Sequence, residues 1–591
     1  MADLRPFRTV AIGAVVAIGT VLIAPLFLDT YATNILTRAL FLATLAMTVD
    51  ILWGYTGILT FGQSAFFGLG AYTCALVFTH YGFGPGWALG ALVGAVIAAA
   101  LLGWAVGWLA FYHGASPLYA SIITLALTIV AVQLIFAGGR FTGSSSGLSA
   151  FPTYYWAVDT WFRIAGCYLV AVAALGWLFV RSDYGRILVA IRENEERCAY
   201  LGIPVSRIKT RLMAAAGAVG AVAGFGYATF TNVVAPELAG FLLGTELLIW
   251  TALGGRGTLF GPILGAIGID VTASYLSGSL PFLWALLVGI AFVVVIVVLP
   301  QGLVPPIFNV FRRALTHWRP GGGGAALAVE AAASRRQDPD ATPILVAEGL
   351  TRSYGSLKVL EGIDLVGRRG EIVGVVGPNG AGKTTLMRCL SDGGERTEGT
   401  VTVGGAEIRR TAPDRVAGLG MGRSFQHTNL FDTLTVGECL TLSRYSRDGT
   451  LKFTRRSRLD LPEPALGILR ATGLFDMLDV ETRNLSHGMK RGLELAMVLA
   501  TEPSVLLLDE PTAGLTKAER RAIGEVLLRL ARDFGLCIFL IEHDLDFVRE
   551  VSSRIVVLHQ GRLLMEGTVE EVIGSDLVRS VYSGAPAGEA A

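Results

Sequence analysis

Long apolar runs separated by short polar segments make up the first 310 residues of the chain. No Asp, Glu, Lys or Arg occurs between residues 51 and 139, and none occurs between residues 271 and 311. A helix needs about 20 apolar residues to span the hydrocarbon core of a bilayer, so the pattern predicts eight to ten membrane-spanning helices. The candidate spans are residues 9–28, 34–53, 57–80, 86–112, 117–137, 164–180, 211–232, 240–254, 259–279 and 282–303.

The pattern changes at residue 344, where short runs rich in β-branched residues begin to alternate with helical stretches. These runs predict strands of a mixed α/β domain: ILVAEGL, GIDLVG, EIVGVVG, SVLLLDE, CIFLIEH and RIVVLHQG. Residues 321–343 have a glycine run, an Asp-Pro pair and little apolar bulk, which is typical of a flexible tether. We therefore expect a membrane domain at residues 1–310, a flexible linker at 311–343 and an α/β domain at 344–591.

Composition and charge narrow the class of protein further. The chain has 591 residues, of which 52% are hydrophobic and only 16% are charged, and its mean hydropathy is +0.57. These values exclude an ordinary soluble enzyme and imply that the first domain lies among membrane lipids. The formal net charge of +1 provides no overall attraction to nucleic acid, so we expect no nucleic-acid partner.

Basic residues predict the orientation of the membrane helices. Arg5 and Arg8 place the N-terminus in the cytoplasm by the positive-inside rule. Six spans later, a basic cluster between Arg181 and Arg211 lies on the same side. Four further spans return the chain to the cytoplasm, where we expect the α/β domain, so ten spans give a consistent parity.

A phosphate-binding segment, GPNGAGKTT, follows the run EIVGVVG and precedes a helical stretch. It matches the spacing GxxxxGK[ST], in which glycines let consecutive backbone N–H groups surround phosphates at a helix N-terminus. Lys383 would reach the outer phosphates, and the Thr384 hydroxyl would bind Mg²⁺. The predicted ligands of the nucleotide are Gly377, Pro378, Asn379, Gly380, Ala381, Gly382, Lys383, Thr384 and Thr385.

A second candidate segment is the apolar run from Ser504 to Leu508, which ends in two carboxylates, Asp509 and Glu510. Such a strand delivers Asp509 toward Mg²⁺ and leaves Glu510 positioned to polarise an attacking water. The two segments together predict a nucleotide-hydrolysing site.

With these parts in place, residues 344–584 resemble the ATP-binding-cassette (ABC) ATPases. The segment LSHGMKR is similar to the family signature LSGGQ, which binds the γ-phosphate of ATP held by the opposite subunit. Ser486 and Gly488 match it, whereas His487 and Met489 stand where glycine and glutamine are usual, and Met489 lacks a hydrogen-bonding side chain. The expected fold class is a polytopic α-helical membrane domain of about 8–10 spans fused to an α/β P-loop ABC ATPase domain, with ATP and Mg²⁺ as cofactors.

Three further residues match functional positions of this family. Gln426, in GRSFQHTNLF, is similar to the glutamine that senses Mg²⁺ and contacts the membrane domain. His543 matches the switch histidine that stabilises the transferred γ-phosphate, and Tyr354 matches the aromatic residue that stacks on adenine. The segment from Ala513 to Thr516 replaces the usual SALD-type loop and lacks its Asp, so communication between two ATP sites is expected to differ.

Other segments resemble the importers of branched-chain amino acids. GRSFQHTNLFDTLTVGECL, ATEPSVLLLDEPTAGL and EGTVEEVIGSDLVRSVYSG resemble their ATPase subunits. ILWGYTGILTFGQSAFFGLGAYTCA, SPLYASIITLALT, FTGSSSGL and APELAGFLLGTELLIWTALGGRGTLFGPILGA resemble their permeases, although Gln63 stands where histidine is common. The last block contains Glu246, a candidate functional carboxylate, because acids at membrane depth usually face a cavity or a partner.

The charged segment from Arg181 to Arg211 resembles the cytoplasmic coupling loop of importer permeases. The resemblance implies that its core forms a short helix seated in a groove of an ATPase domain. The residues of this core are Ala199, Tyr200, Leu201, Gly202 and Ile203.

The resemblance implies ATP-driven import of branched-chain amino acids or of a related small polar or carboxylic solute, at the bacterial inner membrane. Expected partners are a second permease, a second ABC ATPase domain (in a homodimer or a heteromer) and a periplasmic solute-binding protein. Two alternatives stay open: an ABC exporter half-transporter that works as a homodimer, and a regulatory module whose motor no longer hydrolyses ATP efficiently. The importer-like blocks and the number of spans favour import, and the presence of Lys383, Asp509, Glu510 and His543 favours hydrolysis.

Overall fold

The chain, analysed as a computed structural model, divides into two compact units. The first is formed mainly by Met1–Arg192 and Ser206–Gly324, and the second by Glu193–Val205, Ala325–Leu451 and Arg456–Ala591. The structure describes residues 5–112, 117–276, 283–299, 302–304, 306, 327–332, 343–409, 411–426, 430–448 and 458–583.

A helix lies at each predicted membrane span. In chain order the helices are α1 (Arg5–Ile23), α2 (Thr30–Asp50), α3 (Gln63–His80), α4 (Pro85–Ala110), α5 (Pro117–Ala137), α6 (Val158–Arg181), α7 (Asp183–Glu193), α8 (Glu195–Tyr200), α9 (Val205–Thr231), α10 (Phe241–Gly254), α11 (Phe260–Leu276) and α12 (Leu283–Val298). Within the described ranges, five helices are long and apolar enough to cross a membrane, and four shorter apolar helices accompany them. Two short strands, β1 (Leu148–Ser149) and β2 (Val233–Val234), pair antiparallel in the same unit.

The central helix of the first unit is α2, which packs against α6, α10 and α11. It continues as a π-helical turn at Ile51–Tyr55. The buried carboxylate of Asp50 accepts hydrogen bonds from the backbone N–H groups of Gly257 (2.6 Å) and Leu259 (2.9 Å). A Cβ on Gly54 would lie 2.2 Å from the Asp50 carboxylate, so only glycine fits there. Asp50 therefore holds the loop between α10 and α11 at the C-terminal end of α2.

In its described residues, the second unit contains two large sheets and a two-stranded sheet formed by β3 and β10. A six-stranded sheet has the order β14-β13-β6-β12-β11-β9, and an antiparallel four-stranded sheet has the order β5-β4-β7-β8. The strands are β3 (Ala328–Ala332), β4 (Pro343–Tyr354), β5 (Leu357–Arg368), β6 (Ile372–Val376), β7 (Glu398–Val403), β8 (Ala406–Glu407), β9 (Met421–Arg423), β10 (Arg458–Pro462), β11 (Val505–Asp509), β12 (Cys537–Ile541), β13 (Arg554–His559) and β14 (Arg562–Gly567).

Helices surround these sheets: α13 (Lys383–Ser391), α14 (Pro413–Gly418), α15 (Val436–Ser443), α16 (Tyr445–Asp448), α17 (Glu463–Ala471), α18 (His487–Ala500), α19 (Lys517–Phe534), α20 (Leu545–Val551), α21 (Val569–Gly574) and α22 (Asp576–Ser583). Every residue of β6, β11 and β12 is buried, because a parallel sheet is covered on both faces. The six runs predicted as strands form β4, β5, β6, β11, β12 and β13, so the α/β prediction is confirmed.

The prediction of a flexible linker at 311–343 is wrong for β3. Ala328–Ala332 pairs in parallel with Arg458–Pro462, and the side chains of Glu330 and Arg458 form an ion pair. The composition of the segment could not indicate this strand, because it pairs with a strand more than a hundred residues away. The rest of the predicted linker, including the glycine run 321–324, lies outside the described residues apart from Leu327 and Pro343.

Candidate functional site

The predicted phosphate loop connects β6 to α13. Gly377, Gly380 and Gly382 have φ angles of +154°, +81° and +100°, conformations that residues with a side chain rarely adopt. Lys383 is the first residue of α13, and its Nζ donates hydrogen bonds to the carbonyl oxygens of Gly377 (2.7 Å) and Pro378 (3.0 Å). Burial lowers the pKa of the Lys383 ammonium group, although the carboxylates of Glu510 and Asp509 act in the opposite direction. The loop is therefore folded for an anionic ligand at a helix N-terminus.

Asp509, the last residue of β11, lies beside this loop. Its carboxylate is hydrogen-bonded to the Thr384 side chain, and burial raises the pKa of the carboxyl group. Within the part of the chain that the structure describes, its Oδ1 atom has no hydrogen-bond partner. A buried carboxylate oxygen without a partner is costly, and carboxylate and hydroxyl oxygens are the ligands that Mg²⁺ takes. Thr384 and Asp509 therefore fit a bound Mg²⁺ ion.

The three predicted catalytic residues come together at one carboxylate oxygen. Gln426 Nε2 donates a hydrogen bond to Glu510 Oε1 (3.1 Å), and His543 Nε2 lies 2.8 Å from the same oxygen. Glu510 has a φ of +49°, a sparsely populated conformation for a residue other than glycine, and such strain is common at functional sites. The end of β11 and the loops after β9 and β12 thus bring together side chains that are far apart in sequence.

Tyr354 lies at the end of β4, and its side chain is exposed, as an adenine-stacking residue requires. The guanidinium carbon of Arg352 lies 4.3 Å from the centre of the Tyr354 ring. Arg352 is also paired with Glu395 at 2.9 Å. A planar cation therefore already lies against the tyrosine ring.

The signature segment begins α18. Ser486 is the N-cap of this helix, and its side chain accepts a hydrogen bond from the backbone N–H of Met489 (3.3 Å). A Cβ on Gly488 would lie 2.8 Å from a Glu519 carboxylate oxygen, and a Cβ on Gly514 would lie 3.4 Å from the His487 ring. The signature segment therefore lies against the loop that lacks the usual Asp. The hydrogen bond of Ser486 is local to its own helix.

The predicted coupling helix begins and ends earlier than expected. The helix is Glu195–Tyr200, not 199–203, and the Asn194 side chain caps it by accepting from the Arg197 N–H. Gly202, with a φ of +82°, ends it. The N–H of Gly202 donates to the Ala199 carbonyl and that of Ile203 to the Cys198 carbonyl, the paired hydrogen bonds of a Schellman motif. Asn before the helix and Gly after it were the sequence signals for these ends.

The helix Glu195–Tyr200 is part of the second unit because its side chains pack there. Arg197 Nη1 donates a hydrogen bond to Glu494 Oε1 at 2.8 Å, and both side chains are 2% exposed. The Tyr200 ring meets the Phe425 ring edge-on at 5.2 Å, and the Tyr200 hydroxyl accepts from Arg423 (2.9 Å). A buried ion pair, an aromatic contact and a hydrogen bond to the Tyr200 hydroxyl therefore hold the helix on the second unit.

Further polar contacts connect the Arg197–Glu494 ion pair to the backbone of Gln426. Glu494 Oε1 also accepts from the Phe425 N–H (3.0 Å), and Glu494 Oε2 is 3.3 Å from Arg491 Nη1. Arg491 in turn donates to the carbonyl oxygens of Phe425 (2.7 Å) and Gln426. Sequence reasoning missed Arg197, Arg491 and Glu494, because no local pattern indicates a partner that the fold brings from another part of the chain.

The candidate membrane carboxylate, Glu246, lies in the first unit on α10. A second carboxylate of the same block, Glu237, is exposed and lies in the turn Pro236–Ala239. The two acids therefore differ in environment, and only Glu246 lies within a membrane helix.

Comparisons with known proteins match both halves of the chain. The family described as "Branched-chain amino acid transport system / permease component" matches residues 31–299, and the ABC transporter family matches residues 360–513. The high-affinity branched-chain amino acid transport ATP-binding protein LivG of Salmonella typhimurium is 35% identical over 250 residues, which are 41% of this chain and 98% of that protein. The corresponding protein BraF of Pseudomonas aeruginosa is 33% identical over 250 residues, with the same coverage.

These matches agree with the geometry of the second unit and with the apolar helices of the first, and none of them supports the exporter alternative. The ATPase half binds ATP and hydrolyses it, and the helical half is embedded in a membrane. The chain belongs to the family of branched-chain amino acid ABC transport proteins, with a permease component and an ATP-binding component in one polypeptide.

Proposed function

We propose that this chain imports branched-chain amino acids, supplying one permease and one motor to an assembly at the bacterial inner membrane. The observation that carries the proposal is the convergence of Gln426 and His543 on Glu510 beside the phosphate loop, in a chain whose other half matches a permease family. The substrate class is that named for the LivG and BraF relatives.

Each predicted residue around the phosphate loop has a role in this proposal. Tyr354 contacts adenine, and the backbone N–H groups of Gly377 to Thr385 bind the phosphates, as expected at a helix N-terminus. Thr384, Asp509 and Gln426 would hold Mg²⁺, which would neutralise charge on the phosphates. Glu510 accepts a proton from the attacking water.

His543 completes the hydrolytic arrangement from the loop after β12. Its Nε2 atom, 2.8 Å from Glu510 Oε1, orients the carboxylate and stabilises negative charge that develops on the γ-phosphate. Gln426 donates a hydrogen bond to the same oxygen from the loop after β9. Gln426 and His543 therefore fix the position of the Glu510 carboxylate, and with it the position of the attacking water.

The helix Glu195–Tyr200 transmits motion between motor and permease in this proposal. It docks on the motor through Arg197 and Tyr200, and its two ends continue into α7 and α9. Movement of the motor surface is therefore passed along the chain into membrane helices. Arg5, Arg8 and the basic residues around this helix support a cytoplasmic position for the helix and the motor, by the positive-inside rule.

One chain is insufficient in this proposal. In this family the signature segment of one motor completes the ATP site of another, and Ser486 and Gly488 supply it here. We expect the purified assembly to contain two permease and two motor domains, as two 62.7 kDa chains or as one chain with separate homologues. Mass photometry together with an ATPase assay tests this, and ATPase activity from single chains would contradict it.

The import proposal is tested by reconstitution into vesicles with the motor on the inside and ATP enclosed. With its solute-binding protein outside, the assembly should accumulate radiolabelled leucine, isoleucine or valine only when ATP is present. Lys383→Ala, which removes the ammonium group that contacts the phosphates, is the matched control and should show no accumulation. ATP-dependent loss of solute from loaded vesicles, without uptake, would contradict import.

A further inference from the structure

Four polar side chains of the first unit lie together on the helices α2, α10 and α11. Arg38 is bound to both carboxylate oxygens of Asp270, through Nη2 (2.9 Å) and Nε (3.3 Å). Its Nη2 also donates to Ser274 Oγ at 2.9 Å. Glu246 lies within electrostatic range of both Arg38 and Asp270. We call Arg38, Glu246, Asp270 and Ser274 the Arg38 cluster.

The Arg38 cluster lies within the membrane helices rather than at their ends. Asp50 holds the α10–α11 loop at the C-terminal end of α2, so the start of α2 lies at the same side as the start of α10 and the end of α11. At a rise of 1.5 Å per residue, Arg38 lies about 12 Å from its helix end, Asp270 about 9 Å and Glu246 about 7.5 Å. Arg5 and Arg8 place the N-terminus in the cytoplasm by the positive-inside rule. One span later, the start of α2 lies on the outer side of the membrane, where an imported solute arrives.

The Arg38 cluster has unused hydrogen-bonding capacity. Arg38 Nη1 makes no hydrogen bond, and Glu246 makes neither a hydrogen bond nor an ion pair, with any residue in the described ranges. The Arg38 side chain is 37% exposed. Two tyrosines, Tyr31 and Tyr275, flank the cluster, and their rings meet edge-on. Both tyrosine side chains are about half exposed. A cation and an unpaired carboxylate avoid lipid and face a water-filled path or a protein partner. This exposed face of the cluster therefore requires a polar neighbour rather than lipid.

We propose that the Arg38 cluster is a solute-binding site in the permease for the zwitterionic head of an α-amino acid. The solute's carboxylate pairs with Arg38 Nη1, and its ammonium group pairs with Glu246. Charges then alternate from Glu246 through the ammonium, the carboxylate and Arg38 to Asp270, so each cation lies between two anions. The inference rests on the proposed function and adds to it the residues that recognise the solute.

A zwitterion fits this cluster better than a simple ion does. A lone anion would bind Arg38 but be repelled by Glu246 and Asp270, because like charges at short range are unfavourable in a medium of low dielectric constant. A lone cation would pair with Glu246 but would be repelled by the guanidinium group of Arg38 and would leave its Nη1 without an acceptor. Only a ligand with both charges satisfies Glu246 and Arg38 together.

The test uses the complete transporter in nanodiscs without its solute-binding protein, and radiolabelled leucine as the probe. Competitors are 4-methylpentanoate, which lacks the ammonium group, and leucinamide, which lacks the carboxylate. Each should compete at least about tenfold more weakly than unlabelled leucine, since each loses one charge-assisted hydrogen bond. Glu246→Gln should weaken leucine binding by a similar factor, whereas competition by 4-methylpentanoate should be undiminished or stronger, because one repelling carboxylate is removed. Glu237→Gln, the same change at an exposed carboxylate, is the matched control.

The competitors separate solute recognition from a structural role. A purely structural Glu246 would affect all three ligands equally, or would change the number of subunits seen by mass photometry, and either result would overturn the proposal. Leucine binding by Glu246→Gln at the wild-type level would overturn it too. If the wild type takes up leucine with its solute-binding protein but binds none in nanodiscs, the site is wrong and the proposed function stands.

Discussion

Glu510→Gln should lower the ATPase rate of the assembled transporter by roughly a hundredfold to ten-thousandfold, the usual contribution of a general base, while ATP binding is retained. The amide of glutamine is nearly the same size as the carboxylate but does not accept a proton from water. It leaves Lys383, Thr384 and Asp509 unchanged, so the phosphate cradle survives. Phosphate release under saturating ATP measures the rate, and a fluorescent ATP analogue measures binding.

Two controls accompany this change. Glu525→Gln makes the same chemical change on the exposed face of α19 and should leave the rate at the wild-type level. Lys383→Ala should instead weaken ATP binding itself, because the lost ammonium group contacts the bound phosphates. Near-normal ATPase activity of Glu510→Gln would mean that another group activates the water. The contacts of Gln426 and His543 with Glu510 would then serve a role other than positioning a general base.

Arg197→Gln should reduce solute uptake by roughly tenfold to a hundredfold while basal ATPase activity persists. The substitution removes the charged partner of Glu494, and a hydrogen bond between charged groups contributes roughly 1.5–3 kcal/mol. Arg491 stays near Glu494 Oε2, so the carboxylate keeps one cation and the motor should still fold. Paired measurements of uptake in vesicles and of phosphate release show whether the two activities separate.

The matched control is Glu196→Gln, an exposed residue on the same helix, which should transport normally. Gly202→Asp tests the same docked helix at its end, where φ is +82° and a Cβ would lie 2.7 Å from the Ser446 Cβ. It should abolish uptake, a larger loss than the one expected for Arg197→Gln. Normal uptake by both Arg197→Gln and Gly202→Asp would show that force passes between the domains by another route.

Local patterns in the sequence predicted much of the motor. The phosphate loop, the acidic end of β11 and the strands around them are each encoded within about ten consecutive residues, and their geometry follows from backbone conformation and burial on both sheet faces. The membrane helices are predictable for the same reason, since lipid excludes charge from any segment that crosses it. Resemblance to known motifs added Gln426 and His543, although not their positions in space.

Helix ends were predictable but were placed wrongly in the coupling segment. Asn194 and Gly202 carry the local signals for Glu195–Tyr200, whereas the resemblance indicated only an approximate core at 199–203. The predicted linker differs, because the strand within it could not be predicted from nearby residues. The strand Ala328–Ala332 has no local signal, because its stability comes from pairing with Arg458–Pro462.

By itself, the sequence determined the two-domain organisation, the nucleotide site and the membrane character, because each depends on residues that are near one another along the chain. Only the tertiary structure decided which distant side chains meet: Gln426 and His543 at Glu510, Arg197 at Glu494, and Arg38 with Asp270 beside Glu246. Such pairs join residues from separate elements, and their geometry depends on how whole helices and strands pack. A charge in the sequence therefore indicates that a partner is needed, and the fold decides which residue that partner is.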